Sequence, residues 1–294
     1  EDPCYSIYVK FAVKNDVHGV LKKMGADVSK TYFVIWTTTT WTLPANVAIC
    51  LGSEYDYCLV KANGEYYVMA RELADVAMQA AKITDYELIG SIKGSELEYI
   101  TCQHPFIDRE SLVILGDHVT LESGTGCVHT APGHGIEDFE VCVQNYKELP
   151  IVVPVDSEGK LTEEAGPFAG LTTNDANKAI AQALEDSGNL LAIQKIIHQY
   201  PHCWRCKDPV IFRATQQWFC SVDGFKEQAI EAVKSVKWIP DWGEDRITGM
   251  IRDRSDWCIS RQRTWGVPIP IFYCKDCGKY VVNDDSIHAV SELF

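Results

Sequence analysis

The sequence predicts an α+β fold in which a β-barrel-like core with helices packed outside it is followed by a shorter, different segment. Three observations support this class. Short strand-like runs follow one another up to about residue 195 without regular helices between them, so a doubly wound parallel sheet is not expected. The pair Asn63-Gly64 lies between two alternating runs and is a strong hairpin signal. After Gln199 the chain becomes rich in Cys, Trp and Arg.

The strands can be assigned in chain order. Residues 1–30 are expected to form an extended connecting segment, which contains SIYVKFAV, and a short polar loop. The β-prone run 31–36 is the first strong strand, and the Asn-Gly hairpin then joins DYCLVKA to EYYVMA. Further strand-like runs lie at 86–92, 99–102 and 111–115.

Four stretches favour helices. Apolar residues recur at helical spacing in RELADVAMQAAK, residues 71–82. A second helix is expected at 136–149, after a glycine-rich loop. The pattern at 173–187 is the clearest, because Thr or Asn can cap its start and Gly188 follows its end. The last helix is predicted at 225–237.

The chain is therefore expected to divide into four parts. A connecting segment at 1–30 leads into a main domain at 31–198, which is followed by a linker with a cysteine pair and a helix at 199–240 and by a truncated segment at 241–294. The 294-residue chain does not begin with Met, which indicates a piece of a longer protein.

The composition is that of a globular protein, with 46% hydrophobic and 23% charged residues. No apolar run approaches the length of a membrane-spanning helix, so no membrane partner is expected. The net charge of −14 argues against general nucleic-acid binding, although the arginines between 246 and 263 allow a local basic patch. The chain has 12 cysteines and no secretory signal, which favours a reducing cytoplasm.

Two stretches have compositions that neither a strand nor an ordinary loop requires. WTTTTWTLPAN at 36–46 places a row of short hydroxyl groups at the end of an apolar strand. GTGCVHTAPGHGIEDF at 124–139 combines glycines, which let a ligand approach the backbone, with histidines and carboxylates. A tight loop with an acidic residue in the first turn of a helix would explain the second stretch alone, since that position favours negative charge. Together, the two stretches indicate a functional site.

Both stretches resemble signatures of the editing domain that is inserted in the large class I aminoacyl-tRNA synthetases for isoleucine, valine and leucine. DWCISRQRTWGVPIP at 256–270 resembles the point where the chain re-enters the catalytic domain of that family. The isoleucine-specific members are favoured by PHCWRCKDPVIFRAT and by four residues: Cys258, Arg263, Thr264 and Val267. Thr40 departs from the family pattern, which has proline there, so no role is assigned to it.

The resemblance implies roles for individual residues. It places Thr37, Thr38 and Thr39 around an aminoacyl ester and the attacking water. Threonine hydroxyls suit this task, because each donates one hydrogen bond and accepts others. It also places Asp138 on the α-ammonium group of the substrate and His129 where it limits side-chain size. A general-base role for His129 remains a competing interpretation.

Three further residues are expected beside the same substrate. Asn46 follows the threonine-rich stretch, and the resemblance places it next to the pocket. Gly133 and His134 lie in the second stretch and complete the expected substrate-binding set, with His134 mainly supporting the loop.

The implied activity is hydrolysis of mischarged valyl-tRNA(Ile), so the expected partner is the acceptor end of that tRNA. The parent enzyme would ligate isoleucine to tRNA(Ile) using ATP and would be a monomer. Neither a HIGH-like nor a KMSKS-like sequence is present, so ATP is expected to bind only in the missing catalytic parts. Two alternatives remain open: an editing portion of the valine enzyme acting on threonyl-tRNA, and a non-catalytic zinc-containing RNA-binding module.

Two cysteine pairs have the spacing of zinc ligands, since thiolates two residues apart form half of a tetrahedral site. These pairs are Cys203 with Cys206 and Cys274 with Cys277. On spacing alone they could form one four-cysteine site, or they could be free thiols. The resemblance implies two separate zinc knuckles whose other ligands lie outside this chain. Editing itself is expected to need no cofactor.

Overall fold

The computed structural model describes residues 2–261 and 266–294 and divides the chain into two compact units, Glu1–Ala214 and Thr215–Phe294. The first unit contains ten strands in one mixed sheet. These are β1 (Asp2–Asn15), β2 (Thr31–Thr37), β3 (Ala48–Leu51), β4 (Asp56–Ala62), β5 (Glu65–Ala70), β6 (Glu87–Lys93), β7 (Thr101–Gln103), β8 (Glu110–Leu115), β9 (Cys127–Thr130) and β10 (Leu190–His198). Its α-helices are α1 (Val20–Lys23), α2 (Ala74–Ala80), α3 (Ile136–Asn145) and α4 (Thr173–Asp186).

Strand β1 closes this sheet into a barrel. Its first half pairs with β10, its middle with β2 and its end with β7, in each case antiparallel. From β7 the sheet continues through β8, β3 and β9 and returns to β2, while β5, β4 and β6 extend from β2 as a side sheet. A strand of 14 residues can serve three neighbours because its register shifts at two irregularities, between Tyr8 and Val9 and between Val13 and Asn15.

Alternation along β1 and β2 separates two apolar clusters. Ile7, Val9 and Phe11 face the main core together with Phe33 and Ile35. The opposite faces of the same strands belong to a second cluster that α2 covers. Helix α4 adds residues to the main core at four-residue spacing, as expected for one apolar stripe. The barrel is therefore buried on its inner side and partly covered on its outer side.

The hairpin and the capped helix, which had the clearest sequence patterns, are both present in the structure. The hairpin turn between β4 and β5 has Asn63 at φ 52° and Gly64 at φ 78°, the left-handed backbone that an Asn-Gly turn supplies. Helix α4 follows the capping residue Thr172, whose side chain accepts the N–H of Asp175. The predicted helix at 71–82 is shorter in the structure, because Arg71–Leu73 form a 3₁₀ turn before α2.

The extent of the first unit differs from the predicted main domain at both ends. Residues 1–30 were expected to be a connecting segment, but Asp2–Asn15 form the strand that closes the barrel, because both of its faces bury apolar side chains. At the other end β10 does stop at His198. The chain nevertheless stays on the first unit up to Ala214, whose N–H donates to the carbonyl of Gly133 at 2.8 Å.

The second unit is built from short elements. Its helices are α5 (Lys226–Lys234), α6 (Gly243–Arg252) and α7 (Asp284–Ser291), and its two-residue strand pairs are β11 (Phe219–Cys220) with β12 (Trp257–Cys258) and β13 (Phe272–Tyr273) with β14 (Tyr280–Val281). The helix predicted at 225–237 corresponds to α5. Two residues that favour the isoleucine-specific members, Arg263 and Thr264, lie outside the described residues. Within the described ranges, no helix is long and apolar enough to cross a membrane.

Barrel closure should depend on the inward face of β1. Phe11 is fully buried and lies opposite Phe33 of β2. We expect Phe11→Ala to lower the free energy of unfolding by roughly 3–5 kcal/mol, because it leaves a cavity in the main core. Ile197→Ala on β10, a residue that is 74% exposed, should change it by less than about 0.5 kcal/mol. Urea unfolding of both variants measures this difference, and equal losses would contradict the assignment of the core.

Candidate functional site

The two unusual stretches of sequence meet at one end of the barrel. Trp36 of β2 pairs in parallel with Val128 of β9, so the segments that follow both strands leave the barrel on the same side. Between them lies a cavity of about 320 Å³. It is lined by Thr37, Thr39, Trp41, Thr42, His129, Ala131, His134, Asp138, His198, Tyr200, Pro201 and Phe212. Residues about a hundred positions apart in sequence thus surround one space.

The threonine-rich stretch turns sharply after β2, so its hydroxyl groups diverge. The side-chain oxygen of Thr37 accepts the N–H of Thr39 at 3.0 Å, and a 3₁₀-helix, Thr40–Ala45, begins at the next residue. Thr37 and Thr39 line the cavity, whereas Thr38 lines neighbouring cavities. Thr40 is 3% exposed and borders the groove beside α4. The predicted catalytic threonines therefore do not all face the same space.

Asp138 reaches the cavity from the first turn of α3. Its Oδ2 accepts the N–H of Ala131 at 2.9 Å, and its Oδ1 lies 3.8 Å from Nε2 of His118. Burial raises the pKa of Asp138 because it disfavours the charged form. A Cβ at Gly135 would lie 2.6 Å from Oδ2 of Asp138, so glycine is needed there for the carboxylate to fold back over the start of the helix.

His129 lines the cavity, and both of its ring nitrogens are already engaged. Nδ1 lies 2.8 Å from the amide nitrogen of Asn46, and Nε2 lies 3.1 Å from the hydroxyl of Thr42. Burial is the main cause that lowers the pKa of His129 to about 3, because the charged ring would lose its solvation. The ring is therefore neutral near pH 7, and neither nitrogen is left free to take a proton.

Asn46 does not line the cavity, although the sequence places it beside the substrate. It is fully buried behind His129, where its amide also donates to the carbonyl of Ala48 at 2.9 Å. The hydroxyl of Ser111 on β8 donates a short hydrogen bond to Oδ1 of Asn46. The guanidinium of Arg109 donates to the carbonyls of Pro44 and Asn46 at 2.8 and 3.0 Å.

Ser111 and Arg109 were not predicted, because HPFIDRESLVIL carries no functional pattern. The strand register could have indicated them: β8 runs parallel to β3, with Leu112 opposite Ala48, which places Ser111 and Arg109 beside the end of the TLPAN turn. His198, the last residue of β10, and Tyr200, which follows this strand, also line the cavity and gave no signal in the sequence either.

His134 and Gly133 have different positions in the glycine-rich loop. His134 lines the cavity, and its Nδ1 donates to the carbonyl of Phe212 at 2.9 Å. Its ring packs edge-on against Trp41 at 4.9 Å. Gly133 does not line the cavity, and a Cβ there would collide with the carbonyl of Val152. Gly133 therefore allows close backbone packing behind the site.

Each cysteine pair forms the same tight turn, one in each unit. In both, the N–H of the first cysteine donates to the carbonyl five residues later, and the N–H four residues later donates back, at 2.8–2.9 Å. The residue after each pair is left-handed: Lys207 has φ 66° and Gly278 has φ 69°. Within the described residues, no group of three or more His, Cys, Asp or Glu side chains could hold a metal ion. Each pair therefore supplies at most half of a tetrahedral zinc site.

Comparison with known proteins gives consistent matches over the whole chain. A family model described as tRNA synthetases class I (I, L, M and V) matches residues 10–294. The isoleucine--tRNA ligase of Caldicellulosiruptor saccharolyticus is 60% identical over 294 residues, which are 100% of this chain and 32% of that protein. The isoleucine--tRNA ligase of Moorella thermoacetica is 55% identical over 294 residues, again 100% of this chain and 31% of that protein. The chain thus spans about a third of the length of these relatives.

A solved structure shares the fold of the first unit. The crystal structure of GlLeuRS-CP1 matches with a TM-score of 0.54 at 14% sequence identity and covers 64% of this chain and 98% of that chain. At this identity the likeness concerns the fold alone. It agrees with the predicted α+β class and the closed, barrel-like sheet.

Stability should fall as the pH is lowered, because two histidines are buried in the neutral form. The pKa of His104 is lowered to about 4 and that of His129 to about 3, in both cases mainly by burial. An unfolded histidine titrates near about pH 6.5, so between about pH 6 and pH 4 unfolding takes up protons, and the free energy of unfolding drops by about 1.4 kcal/mol per pH unit for each histidine. Urea unfolding at several pH values measures this slope.

A variant of one histidine tests whether the buried histidines cause this pH dependence of the free energy of unfolding. His104→Gln should remove about one proton from the uptake on unfolding, whatever its effect on stability at pH 7. Asp138 has the opposite effect on stability. Because its pKa is raised in the folded state, the folded protein binds this proton at a higher pH than the unfolded protein does, which stabilises the fold as the pH falls. An identical pH slope in His104→Gln and the wild type would show that this histidine is not buried in the neutral form.

Proposed function

Because this chain belongs to the class I tRNA synthetases of the isoleucine, leucine, methionine and valine group, we propose that its first unit edits mischarged tRNA(Ile) by hydrolysing its valyl ester. The supporting observation is the convergence of Thr37, Thr39, His129 and Asp138 on one cavity of about 320 Å³. A cavity of that size, whose lining combines many polar groups with a few apolar side chains, suits a small aminoacyl ester. Relatives at 55–60% identity named isoleucine--tRNA ligase favour isoleucine over valine specificity of the parent.

Asp138 is proposed to bind the α-ammonium group of the substrate. One carboxylate oxygen is bound to a backbone N–H, while the other has, among the described residues, only His118 nearby at 3.8 Å. A buried carboxylate is costly without a cation, and an ammonium group would supply both charge and hydrogen bonds. The aminoacyl group would thus be held through its α-ammonium group, one carbon away from the ester carbonyl.

The ester bond itself is proposed to be attacked by water. It is already activated, so the protein must position the reactants and stabilise charge rather than form a covalent intermediate. Among the described residues that line the cavity there is neither a serine nor a cysteine, and the hydroxyl groups are those of Thr37, Thr39, Thr42 and Tyr200. We assign the water and the developing oxyanion to Thr37 and Thr39, and Thr38 to the approach from the neighbouring cavities.

His129 is proposed to act as a wall that limits the side chain of the substrate. A general base needs a free lone pair near the proton that it removes, here a proton of the attacking water, but both ring nitrogens of His129 already have partners in the protein. The neutral, fixed ring can still exclude an isoleucyl side chain by its bulk. In this family, such a second sieve is needed because a synthetic site cannot discriminate strongly against a substrate one methylene smaller.

The remaining parts of the proposal concern the whole protein. Its parent would ligate isoleucine to tRNA(Ile) with ATP bound outside this chain, as a cytoplasmic monomer. Its tRNA partner would present the charged acceptor end to the cavity. Each cysteine turn would hold zinc as half of a knuckle, completed by ligands outside this chain, and the metal would stabilise the local fold.

Asp138 should be essential for deacylation. Asp138→Asn keeps an acceptor for the N–H of Ala131 but removes the charge, and Asp138→Ala removes both. We expect both variants to lose on the order of a hundredfold or more in hydrolysis of valyl-tRNA(Ile), because the ammonium group loses its counter-ion. Release of radiolabelled valine measures the rate, and circular dichroism checks the fold. Glu137→Gln, at the neighbouring position outside the cavity, serves as control, and wild-type rates in Asp138→Asn would refute the role.

Removing the wall should relax specificity. We expect His129→Ala to hydrolyse isoleucyl-tRNA(Ile) at least about tenfold faster than the wild type, since the cavity then admits one more methylene. His288→Ala, at a position in α7 of the second unit, is the matched histidine control. Threonyl-tRNA is assayed in parallel, because its preferential hydrolysis would favour the valine-type alternative. A variant that still spares isoleucyl-tRNA would show that His129 does not set the limit.

A further inference from the structure

A chain of buried hydrogen bonds runs from β8 to the threonine-rich turn through the wall of the cavity. The hydroxyl of Ser111 donates to Asn46, the amide of Asn46 lies 2.8 Å from Nδ1 of His129, and Nε2 of His129 lies 3.1 Å from the hydroxyl of Thr42. The hydroxyl of Thr42 donates to the carbonyl of Thr39 at 2.7 Å. Ser111 and Asn46 are 0% exposed, and Thr42 and His129 are 7% and 8% exposed.

Only one order of protons satisfies every member of this chain. A backbone carbonyl can only accept, so the Asn46 atom 2.9 Å from the carbonyl of Ala48 must be the amide nitrogen. Its second hydrogen then points to Nδ1 of His129, which must be an unprotonated acceptor. At the other end, the hydroxyl of Thr42 donates its hydrogen bond to the carbonyl of Thr39. The oxygen of Thr42 can then only accept, so Nε2 of His129 must carry the hydrogen that it donates to Thr42.

The remaining polar atom of the Asn46 side chain is Oδ1, and it accepts the hydrogen bond that the hydroxyl of Ser111 donates. Without that hydroxyl, the described structure offers Oδ1 no other donor, and a buried carbonyl oxygen without a partner is unfavourable. A flipped amide would not repair this loss, because it would place Oδ1 against the carbonyl of Ala48 and leave the amide hydrogens without acceptors. The amide would therefore keep its orientation, but with one fewer hydrogen bond to hold it against Nδ1 of His129.

We propose that Ser111 is a positioning residue: by holding the side chain of Asn46 in place, it fixes the orientation of the His129 ring and thereby the size limit of the cavity. This inference rests on the proposed editing function. Ser111 does not line the cavity, so it acts only through Asn46 and His129. The same chain of bonds ties the orientation of His129 to the turn that carries Thr39.

The full chain offers a matched control for the test. Ser6 of β1 is also 0% exposed, and its hydroxyl has no partner among the described residues. Ser6→Ala and Ser111→Ala therefore each remove one fully buried hydroxyl, but only the second removes a bond to Asn46. Nitrogen-15 NMR of histidine-labelled protein reports the tautomer of His129, with His129→Asn used to assign its signal.

The expected results are specific to a positioning role. In the wild type and in Ser6→Ala, His129 should carry its proton on Nε2 alone. In Ser111→Ala the proton should stay on Nε2, but the Nδ1 signal should shift because its hydrogen bond from Asn46 weakens. The ratio of valyl-tRNA to isoleucyl-tRNA hydrolysis should fall by about tenfold, the effect of one buried hydrogen bond.

Two outcomes would overturn the proposal. One is a wild-type His129 protonated on Nδ1 or mixed between tautomers, and the other is a Ser111→Ala variant with an unchanged Nδ1 signal and unchanged selectivity. The NMR measurement needs no turnover. If the wild type hydrolyses neither ester while His129 is held as the Nε2–H tautomer, the editing function fails but the hydrogen-bond order stands.

Discussion

The parallel pairing of Trp36 with Val128 is the contact on which the site depends. Strand β1 covers one edge of β2, and the other edge is shared by β5 at the start of the strand and by β9 at its end. Two strands that run side by side in the same direction end at the same rim, so the segments that follow them must share that rim. The polar groups of the cavity are carried on these segments, while the apolar strands behind them hold the segments in place.

The polar groups at this end of the barrel are shielded from water, and this determines their chemistry. Each buried polar group needs a partner, and the partners in turn determine which groups remain available. His129 has no free nitrogen, whereas Asp138 keeps one oxygen without a hydrogen bond from the protein among the described residues. In the proposed editing reaction, this difference gives His129 a steric role and Asp138 an electrostatic role. It follows from hydrogen-bond accounting rather than from the identity of either side chain.

Local features of the fold could be predicted from the sequence, and non-local ones could not. The Asn63-Gly64 turn and the capped helix α4 depend on residues within a few positions, so their patterns were sufficient. Closure of the barrel by β1 depends on partners far away in sequence, and its residues looked like an extended connection. The site shows the same division. Both motifs were visible as stretches, but the place of Asn46 behind the wall and its contact with Ser111 follow from the register of β8 on β3.

Gly135 shows how little extra volume the backbone around the cavity can accept. Its single hydrogen leaves the space into which the carboxylate of Asp138 folds, and even one methyl group would stand 2.6 Å from a carboxylate oxygen. An alanine at this position would therefore displace the charge while every chemically reactive side chain stayed unchanged. Surveys of natural or engineered variants that compare only the polar residues would score such a chain as intact, although its carboxylate would no longer lie where it does here.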